Sequence, residues 1–300
     1  MVKLSNNIAN VIHLRPPSGM SAIVSAWWSR IALIFLFVVA AFGAVAWLSL
    51  HPLLASSILL GLMLAATIGI ERVRGNAATS GLVWHTNTMR LVGYGTLLAV
   101  VLITAVILIA LALGGAFINV QPLAVGSVIT AILVIIVNSS LEELVFRGTA
   151  FEALHERFGA LPAVLSTSVL FALLHMLNPY ASVLSVTNTA LAGVLLGALV
   201  AQSHSLYAAI AFHAVWNVLV GLVVGSVSGL DMGIGLARLD LSAITPAWLI
   251  GDAYGIEEGA LTTVLLIAAV LVVVKTVPLD AETRAARYRH SFSRSNNSAT

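Results

Sequence analysis

The sequence contains no cysteine, which excludes disulfide bridges and thiolate metal sites. It is also short of charge. Asp, Glu, Lys and Arg make up 9% of its 300 residues, against roughly 25% in soluble domains. A chain this poor in charge cannot cover itself with a water-compatible surface, so lipid is its solvent. The basic residues are scattered or terminal, without interleaved aromatics, and give no nucleic-acid-binding face. No internal repeat is apparent, which weakens an inverted-repeat transporter reading. What the chain has instead is apolar length: it is 60% hydrophobic, with a mean hydropathy of +1.04.

A transmembrane helix needs roughly 20 mostly apolar residues. Residues 31–70 carry no Asp, Glu, Lys or Arg and are interrupted by His51-Pro52, which predicts spans at about 31–50 and 53–70. A third is expected at about 91–114. A fourth starts near Leu123 and passes Glu142, its helical pattern continuing to about Arg157. Further spans are expected at 161–178, stopped by Asn178-Pro179, and at 187–202, 205–225 and 259–277. Between the last two lies a Gly-rich, acidic loop, 226–258, read by default as solvated. The fold class is therefore an all-α polytopic bundle of about eight spans.

The charges orient it. With the N-terminus in the cytoplasm, every Lys and Arg except Arg238 falls on the cytoplasmic side, as the positive-inside rule requires. Both termini are then cytoplasmic. The expected division is a cytoplasmic segment 1–30, a membrane domain 31–277, and a basic tail 278–300 without packed structure. Ala44-Val45-Ala46 resembles a signal-peptidase site, but the apolar run continues through Trp47-Leu48 and favours a retained span. Gly193 and Gly197, and Gly221 and Gly225, recur four residues apart. This spacing suits close helix packing, and it equally suits the general glycine enrichment of membrane helices.

Ionisable groups inside a membrane raise a functional hypothesis by default. Three places carry them. Glu142 and Glu143 are adjacent, so they point about 100° apart on a helix. Glu143 and Arg147 are i,i+4 neighbours that can pair. Glu142 is left without a local partner, as a general base requires, although a charge cluster at a helix end would look the same. His175, four residues after Phe171, reads by itself as a hydrogen-bonded packing residue. His213 and Asn217 share one helix face. Both can donate hydrogen bonds while neutral, and together they can hold an oxyanion or clamp two helices. At about 1.5 Å per residue, His175 lies roughly 21 Å from Leu161 and Glu142 roughly 21 Å from Glu156. His213 and Asn217 lie roughly 12 and 18 Å from Ser205 by the same rise. All four can meet at similar depth.

In order, these residues form EExxxR (Glu142-Glu143…Arg147), FxxxH (Phe171…His175) and HxxxN (His213…Asn217). The set resembles the CPBP family of intramembrane proteases, which includes CAAX prenyl endopeptidases and bacteriocin-processing proteins. The resemblance covers about 130–225. It implies an intramembrane endopeptidase acting on a membrane-associated or lipidated protein or peptide, with membrane lipids as its surroundings. Glu142 would activate a water and His175 would position it. His213 and Asn217 would stabilise the oxyanion, while Glu143, Arg147 and Phe171 give structural support. A multi-pass protein of a prokaryotic cell membrane is the expected setting.

Glu142, His175 and His213 can also be read as zinc ligands with an open fourth position. HExxH is absent, however, and the ligands would come from three helices. The metal-free glutamate mechanism is preferred, and no other cofactor is expected. A buried glutamate acts as a base only if Arg147 or a histidine keeps it ionised and water reaches it, which predicts a cavity open to the cytoplasm. The alternative function is a non-catalytic membrane binding or immunity protein on the same fold. A proton-coupled transporter using the same buried groups is the remaining reading.

Overall fold

The computed structural model describes residues 26–74, 81–114, 116–118, 124–235, 238–240 and 246–276. The elements are α1 (Trp27–Trp47), α2 (Pro52–Val73), α3 (Thr88–Ala112), β1 (Ala116–Ile118), α4 (Val125–Arg147), α5 (Thr149–Phe158), α6 (Ala160–His175), α7 (Val183–Ser203), α8 (Tyr207–Val223), β2 (Ser226–Val227), β3 (Leu230–Asp231), β4 (Arg238–Asp240), α9 (Ala247–Ile250) and α10 (Ala260–Thr276). Lipid offers no hydrogen bonds to the backbone, so long apolar segments must satisfy themselves as helices. All eight expected spans are helical, and the protein is an all-α polytopic membrane bundle. The N-terminal segment up to residue 25 and the basic tail lie outside the described residues.

Several boundaries differ from the sequence expectation. Helix α1 starts at Trp27, so Arg30 sits inside its first turn, buried, and pairs with Glu156 of α5. Ala44-Val45-Ala46 is an uninterrupted part of this helix. The helical run past Glu142 breaks at Gly148, whose ψ of −130° is not helical. A Cβ there would lie 2.3 Å from the Leu144 carbonyl oxygen, so glycine permits the kink. Helix α5 then packs on α1, held by Glu156 to both Arg30 and Arg74. His175 is the last residue of α6 rather than an interior one. Helix α7 begins at Val183, four residues earlier than expected, because Ser182 and Ser185 form a reciprocal capping box.

The tightest helix pairs are α3 on α8 and α6 on α7. Glycine explains both contacts. A Cβ on Gly95 would lie 2.1 Å from the Ala208 carbonyl oxygen, and one on Gly193 would lie 2.9 Å from Ser168 Cα. Gly197 likewise faces Val164. Gly193 and Gly197 are thus packing residues, one of the two readings the spacing allowed. Helix α4 lies against α2 and α8, and α10 against α7. Leu36, Leu97, Leu108, Val169, Leu173 and Leu271 point outward as lipid-facing side chains. Exposed Trp28 and Trp84 at one end, and Trp47 and Trp248 at the other, suit the two membrane interfaces.

The 226–258 region is more ordered than a solvated loop. Strands β2 and β3 pair antiparallel, and β4 pairs with β1 from the α3–α4 connection. A 3-10 turn at Ile256–Glu258 leads into α10.

Candidate active site

Helix α4 delivers two carboxylates to different surroundings, as their 100° offset requires. The Glu143 side chain is 0% exposed, while that of Glu142 is 35% exposed. Arg147 Nη1 donates to Glu143 Oε1 at 3.1 Å, which is the expected i,i+4 pair. Arg147 also donates through Nη2 to the Gly193 carbonyl of α7 at 3.2 Å. Its guanidinium stacks 4.6 Å over the Phe171 ring of α6. One buried cation thus ties α4, α6 and α7 together. Phe171 packs edge-on to Phe146 at 5.1 Å between ring centroids, and its carbonyl accepts the Nδ1 proton of His175 at 2.8 Å.

Glu143 has a second partner that sequence spacing did not reveal. Nδ1 of His213 on α8 lies 2.8 Å from Glu143 Oε1. A carboxylate accepts, so this imidazole nitrogen carries a proton. The other ring nitrogen, Nε2, lies 3.7 Å from Glu142 Oε2. That distance is too long for a direct hydrogen bond. Glu142 Oε2 is buried and accepts no hydrogen bond among the described residues. A carboxylate holding one nitrogen of a histidine fixes its tautomer and ring orientation. Neutral His213 spends its single N–H on Glu143, so it can donate through Nε2 only as an imidazolium.

Asn217, one turn beyond His213, donates through Nδ2 to Ser139 Oγ of α4 at 3.2 Å. One amide proton and the amide oxygen remain uncommitted. His175 has Nδ1 bound to the Phe171 carbonyl, and its Nε2 makes no hydrogen bond among the described residues.

His175, His213 and Asn217 line one cavity of about 50 Å³ together with Phe171, Asn188 and Glu257. This volume holds a few water molecules and is far below that of a small-molecule pocket. Glu142 is not in its wall and reaches it through His213. The wall also includes Ser228 and Thr262, which lie at the end of the bundle opposite the Arg30–Glu156 and Arg74–Glu156 pairs. The cavity therefore extends toward the 226–258 region, where Asn178 Nδ2 reaches the Ser228 carbonyl at 3.0 Å.

Among the described residues, no group of three His, Asp or Glu side chains converges closely enough to hold a metal ion.

Sequence reasoning missed four participants: Ser139, the Gly193 carbonyl, Trp216 and Glu257. The first and third were within reach, since Ser139 lies one helical turn before Glu142 and Trp216 adjoins Asn217. Glu257 was not, because an acidic residue in a Gly-rich loop carries no periodic signal.

The family described as type II CAAX prenyl endopeptidase Rce1-like matches residues 124–219, from the start of α4 through Asn217 on α8. The matched segment contains all three motifs and agrees with the family resemblance read from them. No curated protein matches the chain.

Proposed function

With residues 124–219 matching the Rce1-like type II CAAX prenyl endopeptidase family, we propose that the protein is an intramembrane endopeptidase. Its substrate is a peptide bond of a membrane-associated or lipidated protein. The reaction is water-mediated hydrolysis with Glu142 as general base. The observation that carries this reading is the pair Glu142 Oε2 and His213 Nε2, 3.7 Å apart, with His213 fixed from behind by Glu143. The catalytic water is placed between these two atoms, which requires the gap to open slightly because Oε2 is buried here.

Glu142 takes a proton from this water, and the resulting hydroxide attacks the scissile carbonyl. His175 Nε2 accepts the second water hydrogen and orients the attack. The tetrahedral oxyanion is met by the free amide proton of Asn217 and by Nε2–H of protonated His213. Glu142 then returns its proton to the leaving amine. Glu143, paired with Arg147, keeps the imidazolium in place.

Two outcomes follow. The rate depends on one ionised carboxylate and one imidazolium, so kcat/KM is bell-shaped in pH. Its alkaline limb reports the loss of the His213 imidazolium. A plateau extending to high pH would contradict the imidazolium role. The second outcome concerns metal. Purified protein in proteoliposomes, given a farnesylated CAAX peptide and other membrane peptides, should hydrolyse the same bonds before and after 1,10-phenanthroline. Loss of cleavage that added zinc restores would overturn the metal-free mechanism.

A further inference from the structure

The turn at Ile256–Glu258 crosses the loop-side end of the cavity, and it is fastened by side chains that ordinary loops do not use. Trp216 Nε1, on the helix that carries His213 and Asn217, donates to Glu257 Oε1 at 3.0 Å. The Ser228 backbone N–H donates to Glu257 Oε2. Asn188 of α7 donates to the backbone carbonyls of Glu257 and Gly259 at 2.8 and 2.9 Å. Thr263 returns a hydrogen bond to Asn188 Oδ1 at 2.6 Å. The Glu257 carboxylate is thereby held in the cavity wall.

Both of its hydrogen-bond donors are neutral, and no Lys or Arg pairs with it among the described residues. A carboxylate has about four acceptor positions, so about half remain available. The wall contains no Lys or Arg. Its further acceptors include Nε2 of His175 and the amide oxygen of Asn217, for which no hydrogen bond is found among the described residues. The positive charge that His213 carries when protonated is already faced by Glu142 and Glu143. The space is water-sized, and a primary ammonium is a compact, strongly hydrated group with three donors.

We propose that Glu257 is a specificity-determining residue that draws a primary ammonium of the substrate, a lysine side chain or an N-terminal amine, into this cavity beside the scissile bond. The assignment rests on the endopeptidase reading, because it places the ammonium next to His213 and Asn217. It also predicts discrimination against a carboxylate at the same position, since like charges at this separation repel.

The test uses three N-acetylated, C-amidated nonapeptides that differ only at the central residue: lysine, norleucine or glutamate. Binding is measured in nanodiscs on the Glu142→Gln protein, so that no probe is consumed, and cleavage is measured on the protein with Glu142 intact. The lysine probe should bind about tenfold tighter than norleucine, and glutamate weakest. Glu257→Gln should erase the ranking, and Glu257→Lys should reverse it. The Gln variant keeps an oxygen acceptor for Trp216, so it remains decisive if the Lys variant does not fold. Equal binding of the three probes, or a lysine preference that survives Glu257→Gln, overturns the proposal. A lysine preference without cleavage would remove the endopeptidase reading and leave the ammonium site. Equal cleavage of all three with no binding preference would remove the site and leave the endopeptidase.

Discussion

Glu142→Gln is expected to lower the rate of peptide hydrolysis by about 10²–10⁴-fold, the range set by a lost general base, while the protein stays folded. The substitution keeps the shape of the side chain and removes its basicity. Stability should change little, because the Glu142 side chain is 35% exposed and its Oε2 accepts no hydrogen bond among the described residues. Thermal unfolding in detergent and turnover on one membrane peptide separate the two effects. A large fall in melting temperature would mean that Glu142 is structural. Unchanged turnover would mean that the base is elsewhere.

The opposite pattern is expected at Arg147. Arg147→Leu takes from the fully buried Glu143 carboxylate its permanent cation and leaves His213 as its remaining partner. Breaking a buried pair from one side costs about 3–5 kcal/mol, which is a large part of a typical domain's stability. It also releases the Gly193 carbonyl and the Phe171 ring, so α4, α6 and α7 lose their common tie. The variant should fail to accumulate or should unfold at much lower temperature. Removing both charges together, as Glu143→Leu with Arg147→Leu, should recover most of that loss, since apolar replacement of a buried pair is often neutral or better. Activity should not recover, because His213 Nδ1 has lost its acceptor. A double variant that is both stable and active would show that Glu143 supports the fold alone.

The polar pattern explains what could be read from the chain and what could not. The apolar runs predicted all eight helices, since lipid leaves the backbone no other choice. Contacts within one helix were equally readable: Glu143 with Arg147, and His213 sharing a face with Asn217, both follow from the helical repeat. The hydrogen bond from His213 to Glu143 crosses 70 residues of sequence and three intervening helices. No local rule contains it, and it changes the chemistry assigned to His213. The kink at Gly148 was hidden because glycine is tolerated within helical patterns, and only the tertiary hold on α5 decides between continuing and bending. The residues that complete the cavity were hidden for a similar reason. Its wall is completed by Glu257 and Ser228 from a region whose composition resembled a solvated loop.

The central claim is that Glu142 catalyses hydrolysis of membrane peptides. Its most direct test compares peptide termini across the membrane proteome of cells carrying the protein with Glu142 or with Glu142→Ala, at equal abundance of folded protein. Termini that appear only with Glu142 present are the predicted result, and they would name the substrates. Identical profiles under conditions where the gene affects growth would contradict the account and favour a binding or immunity role for the same fold.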